Sequence, residues 1–297
     1  MTYRSRLDSE NKEKPVDPGR YDKYFFLDPK YGCGCGGYKI IQDTEGQQFP
    51  AYYDEFYKLA QIKTESRVLD IGCGRGEFVI FCALKGAIAI GVDYSADAID
   101  IANGLKELVA KGREDNSIVQ RSTFRQADVK SLPFPDDEFD VIVSRAVVEH
   151  LHQWELLQML QECKRVLKPN GILLITTHPN IWYRNYGFPV VRIFKHLSSL
   201  VRRASGEETV YDNPHAEQES GLHVNEQSVL SLRKTLREAG FNAKVWLEPR
   251  FSYRRERLVK ELGLSGFFLY LSIHILETWV PFKFIFADEI YAIAHKA

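Results

Sequence analysis

VLDIGCGRGEF, residues 68–78, is a short apolar run that ends in an acid and then breaks into alternating glycines. An apolar run of this length before glycines reads as a strand buried on both faces. Asp70 stands at its carboxyl end. Gly72, Gly74 and Gly76 permit a tight turn whose backbone can approach a ligand closely. In an open parallel sheet, ligands bind at this end of the strands. The spacing is not the dinucleotide fingerprint G-x-G-x-x-G, because Glu77 holds the place of the third glycine. No GK[ST] follows, as a phosphate-binding P-loop requires. An acid before the loop would repel a pyrophosphate and suits a ligand that carries an amino group.

Outward from this loop, strands and helices alternate. AIAIGVD (87–93), FRQAD (124–128), FDVIVS (139–144) and GILLITT (171–177) read as further buried strands. A helix is expected over 76–85, another over 96–111 with Ser95 as N-cap, and a third over 154–167, stopped by Pro169-Asn170-Gly171. Such alternation is the pattern of βαβ units, hence of a parallel sheet covered on both faces. A later helix over 225–239 and two last strands, FNAKVWLE (241–248) and EIYAIAHK (289–296), extend the sheet to seven. The strand ends carry more acids. Asp93 can accept from both hydroxyls of a ribose, Tyr94 can cover a flat base, and Asp128 can accept from an exocyclic amine.

Composition limits the class of protein. The 297 residues are 44% hydrophobic and 27% charged, as in a folded globular chain. Lys+Arg at 39 against Asp+Glu at 40 leaves a net charge of -1, so no overall basic field draws in nucleic acid. The first residues hold no apolar signal region, and the five cysteines are expected to be reduced thiols in the cytoplasm. Cys33-Gly34-Cys35 reads as a glycine-rich loop, with too few ligands for zinc. Residues 262–286 are strongly apolar, but Glu277, Pro281 and Lys283 interrupt them, so no transmembrane helix is expected. Residues 1–64 read as a tail and a lid. In that lid Tyr24, Tyr31, Tyr52 and Tyr53 are candidates to cover the site. Residues 65–180 and 223–297 form the core. Residues 181–222 are a cap insertion, and 249–288 are a second one.

The ordered motifs VLDIGCGRG, GVDYS, QADVKSLPF, FDVIVSRAVVEHL and RVLKPNGILLITT resemble class I S-adenosylmethionine-dependent methyltransferases. The resemblance covers about 65–180 and most of 223–297. It implies an α/β, Rossmann-like, seven-stranded, mostly parallel sheet with helices on both faces, plus the N-terminal lid and cap insertions. It implies S-adenosyl-L-methionine as cofactor. Asp70, Gly72, Cys73, Gly74 and Gly76 would hold the methionine part, Asp93 the ribose and Tyr94 the adenine face. Asp128 and Val129 would read the adenine edge, and Ser144 and Arg145 would line the sulfonium.

The acceptor is less legible. Glu149, His150 and His152 follow the fourth strand and His178 follows the fifth. His150 or His178 is the candidate general base, with Glu149 beside them. AVVEHLHQW is similar to the E-x-x-E-H of metal-bearing methyltransferases of ubiquinone biosynthesis, but Ala146 stands where the first glutamate belongs, and no metal is expected. Motifs for nucleobase or glutamine acceptors are absent. Residues 181–203 hold five basic residues and no acid, with apolar residues largely on one helical side. Residues 250–260 add four arginines and a lysine, before the apolar 262–286. Together, 181–203 and 250–286 point to peripheral membrane contact or a lipid-linked substrate, or to a cap packed on the core or on a second subunit. ITTHPNIWYR and the ending FADEIYAIAHK also look like methyltransferases of bacterial polysaccharide and glycolipid pathways. The expected reaction is O-methylation of a sugar, glycolipid or other hydroxylated small molecule, with no nucleic acid partner. A nucleic-acid or protein methyltransferase and a non-catalytic binding module on the same fold are the alternatives. Oligomeric state is left open.

Overall fold

The computed structural model describes residues 14–28, 36–190, 192, 221–248, 271, 275 and 278–297. Cys33, Cys35, Tyr31, and most of the two cap insertions lie outside the described residues.

Seven strands form one sheet: β1 (Arg67–Ile71), β2 (Ile88–Asp93), β3 (Ser122–Gln126), β4 (Phe139–Arg145), β5 (Leu167–Thr177), β6 (Phe241–Glu248) and β7 (Glu289–Lys296). Their spatial order is β3-β2-β1-β4-β5-β7-β6. The first five run parallel, and β7 enters antiparallel to both β5 and β6. Between them run α4 (Glu77–Leu84), α5 (Ala96–Arg113), α6 (Ser117–Arg121), α7 (Gln153–Val166) and α8 (Val229–Glu238). Three short helices, α1 (Lys23–Leu27), α2 (Gly36–Asp43) and α3 (Tyr52–Leu59), precede the sheet, and α9 (Phe282–Phe286) leads into β7.

The period-two alternation of side chains sorts the core into two layers. Val68, Val141, Val143 and Leu174 face one way, onto α4, α5 and the N-terminal helices. Leu69, Ile71, Ile142, Leu173 and Ile175 face the other way, onto α7 and α8. Phe78 and Phe139 anchor the two layers with no exposed surface. Truncating either to alanine would cost about 3–5 kcal/mol through lost contact and an unfilled cavity.

Four strands differ from the expected bounds, β2 and β4 by one residue each: β2 starts at Ile88 and β4 ends at Arg145. β3 lies at Ser122–Gln126 rather than 124–128, because its residues pair in step with β2 and stop opposite Asp93. Asp128 therefore sits beyond the strand, in the following turn. β5 starts at Leu167 rather than 171, since Leu167 is already extended and pairs with Phe139 before a register shift. The later helix begins at Val229, four residues late, because Ser228 is its N-cap: its side chain accepts from Ser231 N. β6 and β7 have the expected bounds. Ser95 caps α5 as expected, its hydroxyl accepting from Ala98 N at 3.2 Å.

Candidate active site

The parallel strands bring the carboxyl ends of β1, β2, β4 and β5 to one edge of the sheet. After β1 the chain turns through Gly72, Gly74 and Gly76 with φ of 66, 51 and 77°. At Gly76 a side chain would also lie 2.6 Å from the Phe124 ring, so only glycine lets α4 start this close to β3. At Gly74 a side chain would meet only Phe26, at 3.5 Å, which leaves its backbone approachable. Cys73 is buried within the turn, its N–H donating to Val92 O, and burial holds its thiol well above the ordinary range.

The two acids of this half are set differently. Asp93 is 6% exposed, and its oxygens accept from Gly74 N and Ser95 N, each at 3.0 Å. Burial raises its pKa while those N–H groups pull it down. Each oxygen keeps acceptor capacity for hydroxyls. Asp70 is 2% exposed and its Oδ2 has no hydrogen-bond partner. Burial pushes it up to about 7, with Arg145 opposing and Glu77 and Asp93 adding. Ser144 Oγ, at the end of β4, is likewise enclosed and unpartnered. Two orphaned acceptors beside an open glycine turn fit a ligand with an ammonium group, as S-adenosylmethionine has. The residues present therefore fit that cofactor.

Arg145 departs from a residue standing free at a strand end. Its guanidinium lies 5.0–5.3 Å from the centres of the Phe78, Tyr53 and Phe56 rings. Burial weighs against its charge, and Tyr53 and Asp70 outweigh that, so its pKa is raised. Asp128 also departs: Oδ1 accepts from Lys130 N at 2.9 Å, and Oδ2 pairs with Lys130 Nζ at 3.0 Å. Val129 is buried with Leu132 and Phe134.

Residues 17–28 lie across the loop as a strap. Arg75 donates to Phe26 O at 2.9 Å, Ser95 Oγ to Tyr21 O at 2.6 Å, and Lys23 N to Asp97 at 2.9 Å. Tyr21 packs against Tyr94 at 5.4 Å between ring centres and against Phe25 at 4.9 Å. Of the tyrosines expected to cover the site, Tyr24 is turned outward at 58% exposure. Tyr53 is buried against Phe78 and Phe81, with the Tyr52 ring tilted against it at 4.4 Å between centres.

At the ends of β4 and β5 lies a second group. Glu149 is fully buried. Its Oε2 accepts from Thr177 Oγ1 at 2.8 Å, and Oε1 lies 3.5 Å from His178 Nδ1. Its carbonyl accepts from Val224 N and Asn225 N, which ties residues 221–228 to the site. Burial raises its pKa to about 7, and His223 and the bonds from Thr177 and His178 oppose that. His150 Nδ1 is 2.9 Å from Tyr21 Oη and 3.2 Å from Leu222 O. The His223 ring lies 4.8 Å from that of His150 and 6.3 Å from that of His178, both edge-on. His152 instead caps α7.

Sequence reasoning placed Glu149, His150 and His178 near one another and missed Tyr21 and His223. Neither has a local signal, since a tyrosine in a tail and a histidine in a loop carry no pattern. One donor atom each from Glu149, His150 and His223 lies within 4.8 Å of the others, a set with the His₂Glu chemistry of a three-ligand zinc site. That grouping, among the described residues, was not expected from the sequence.

Residues 69–175 match the family described as "Methyltransferase domain". The methyltransferase YcgJ of Bacillus subtilis is 34% identical over 121 residues, 41% of this chain and 44% of that protein. A ubiquinone biosynthesis O-methyltransferase of Histophilus somni is 27% identical over 164 residues, 54% of this chain and 64% of that protein. The chain thus spans about half the length of the curated relatives it matches. Among solved structures, a phosphoethanolamine N-methyltransferase of Haemonchus contortus, bound to phosphomonomethylethanolamine and S-adenosylhomocysteine, has a TM-score of 0.58. It is 19% identical and covers 96% of this chain and 61% of that one, a likeness of fold.

Proposed function

We propose that this chain, whose residues 69–175 match a methyltransferase domain, is a class I S-adenosylmethionine-dependent methyltransferase that methylates a hydroxyl oxygen of a small molecule, a sugar or related polyol being the favoured class. When bound, the cofactor supplies a methyl group activated on a sulfonium. The protein's task is then to align the acceptor and remove its proton. Asp70 accepts from the ammonium of the methionine part, and Asp93 from the ribose hydroxyls. Asp128 is a weaker candidate for the adenine edge, since Lys130 already engages both of its oxygens.

The observation that carries the acceptor reading is the enclosed Glu149 carboxylate against the partly exposed His178, 3.5 Å from Nδ1. A carboxyl group this close to Nδ1 can orient the imidazole and support the charge it gains, and Nε2 would then act as the base. An oxygen nucleophile needs such a base far more than a sulfur nucleophile does. His150, held by Tyr21, lines the same group. An O-methyltransferase among the relatives supports the same reading.

The test is incubation with methyl-labelled S-adenosylmethionine and matched sets of sugars, glycolipids, phenols and amines. Label on hydroxyl oxygens that is lost in His178→Gln is the expected result. Label confined to amines, or an undiminished rate in that variant, would overturn the acceptor reading.

A further inference from the structure

Eight of the thirteen large apolar side chains exposed among the described residues lie between 186 and 190 or between 271 and 284. Trp279 is 67% exposed and Val280 72%, with Phe282 and Phe284 beside them; Tyr186, at 63%, and Val190 come from the other segment. The two segments make one surface. Asn180 Nδ2 donates to Phe284 O at 3.0 Å, and the Trp182 and Phe284 rings are 5.8 Å apart. The backbones meet so closely at Gly187 that a side chain there would lie 2.2 Å from Ile285 O. A lone exposed leucine needs no explanation, but a group of exposed aromatic and aliphatic side chains gathered from two touching segments does.

We infer that this patch is a docking surface for an anionic lipid interface. The charges around it choose the partner. Lys283 lies within one of its two segments and Arg192 just past the end of the other, and Arg184, paired with Glu226 at 2.7 Å, borders it. Tryptophan and tyrosine among cations suit the headgroup boundary, where the rings meet acyl chains and the cations meet phosphate. A second copy of the chain suits it less, because a two-fold contact would bury Arg192 and Lys283 among apolar side chains, and the described residues of the two segments carry no acid to meet them. Among the described residues no helix is long and apolar enough to cross a membrane, so contact through this patch is with a surface. Trp182 is four residues from His178, which puts the patch at the rim of the acceptor end. The inference goes beyond the proposed reaction and stands whatever atom is methylated.

The experiment is co-sedimentation of the full chain with vesicles of phosphatidylcholine alone and of phosphatidylcholine mixed with phosphatidylglycerol, at low and high salt. Binding to the mixed vesicles, weakened by salt and poor on neutral ones, is expected. Arg192→Gln and Lys283→Gln should each weaken it about fivefold. Trp279→Ser combined with Val280→Ser should weaken it further, while S-adenosylhomocysteine affinity and the melting temperature stay as in the parent. No binding to mixed vesicles at low salt would overturn the inference. So would binding that ignores these substitutions, or a dimer in sedimentation velocity that the Trp279 variant dissolves while vesicles are ignored.

Discussion

On the side of β1 and β2, the polar groups of the site come from one short stretch, 70–95, and are held by neighbouring backbone. Gly74 N and Ser95 N fix Asp93, and the glycine turn sets the approach to Asp70. On the side of β4 and β5, the corresponding groups come from distant stretches and meet through side chains as well as backbone: Tyr21 and Leu222 O on His150, and Thr177 and His178 on Glu149. One half is a backbone cradle; the other is an assembled imidazole cluster. On the proposed reading the difference follows the tasks: backbone geometry would hold a cofactor common to many reactions, and side chains that can be exchanged without altering the sheet would serve the acceptor.

Substitutions can separate the halves. The largest effect is expected in the acceptor half: His178→Gln should lower turnover about 10²–10⁴-fold, as for a general base, with cofactor affinity kept. Calorimetry showing lost cofactor affinity instead would merge the two halves into one.

Next is Asp70. Its folded pKa near 7 stands above the ordinary 3.8, so the unfolded chain ionises first as pH rises. Stability of the cofactor-free protein should be full below about pH 4 and fall until about pH 7, by roughly 4 kcal/mol from this group. Asp70→Asn should remove that part of the slope and raise stability at pH 8, yet weaken cofactor binding. The remaining slope belongs in part to Glu149, whose pKa is raised in the same direction. Chemical denaturation across pH, with and without S-adenosylhomocysteine, checks both; an unchanged slope would show that Asp70 is ionised in the folded protein.

Asp93→Ala should cost about 1.5–3 kcal/mol of cofactor affinity, the range for hydrogen bonds to a charged group, and leave the acceptor KM nearly unchanged. Tyr21→Phe tests the bridge between the halves. Losing the hydroxyl on His150 should cost about 0.5–1.5 kcal/mol of stability and loosen the imidazole, so thermal melting and turnover should fall together. Chelation should leave turnover unchanged. A loss restored by zinc would instead mean that Glu149, His150 and His223 hold a metal, and the acceptor half would then be a metal centre.

Much of the cofactor half was legible because each of its parts depends on neighbours in the chain. An acid at a strand end, glycines at fixed spacing and Ser95 before a helix are local patterns with local causes. In the acceptor half only residues next to a strand end were legible. Tyr21 and His150 are 129 residues apart, so no periodicity or turn rule links them. Residues 221–223 reach the site through the N–H groups that follow them on Glu149 O, a contact that no pattern around His223 announces.

By itself, the sequence determined the order of strands and helices, the two-faced burial of the sheet and the glycine turn. These arise from side-chain period and backbone preference within a few residues. Only the tertiary structure decided that β7 slots between β5 and β6, and that the strap brings Tyr21 over Tyr94 and His150. It also decided that Arg145 lies among three rings and that Asp128 turns to Lys130. A side chain's partner is set by which surfaces pack once the apolar faces are buried. A carboxylate or guanidinium takes the nearest compensating group that this packing brings to it.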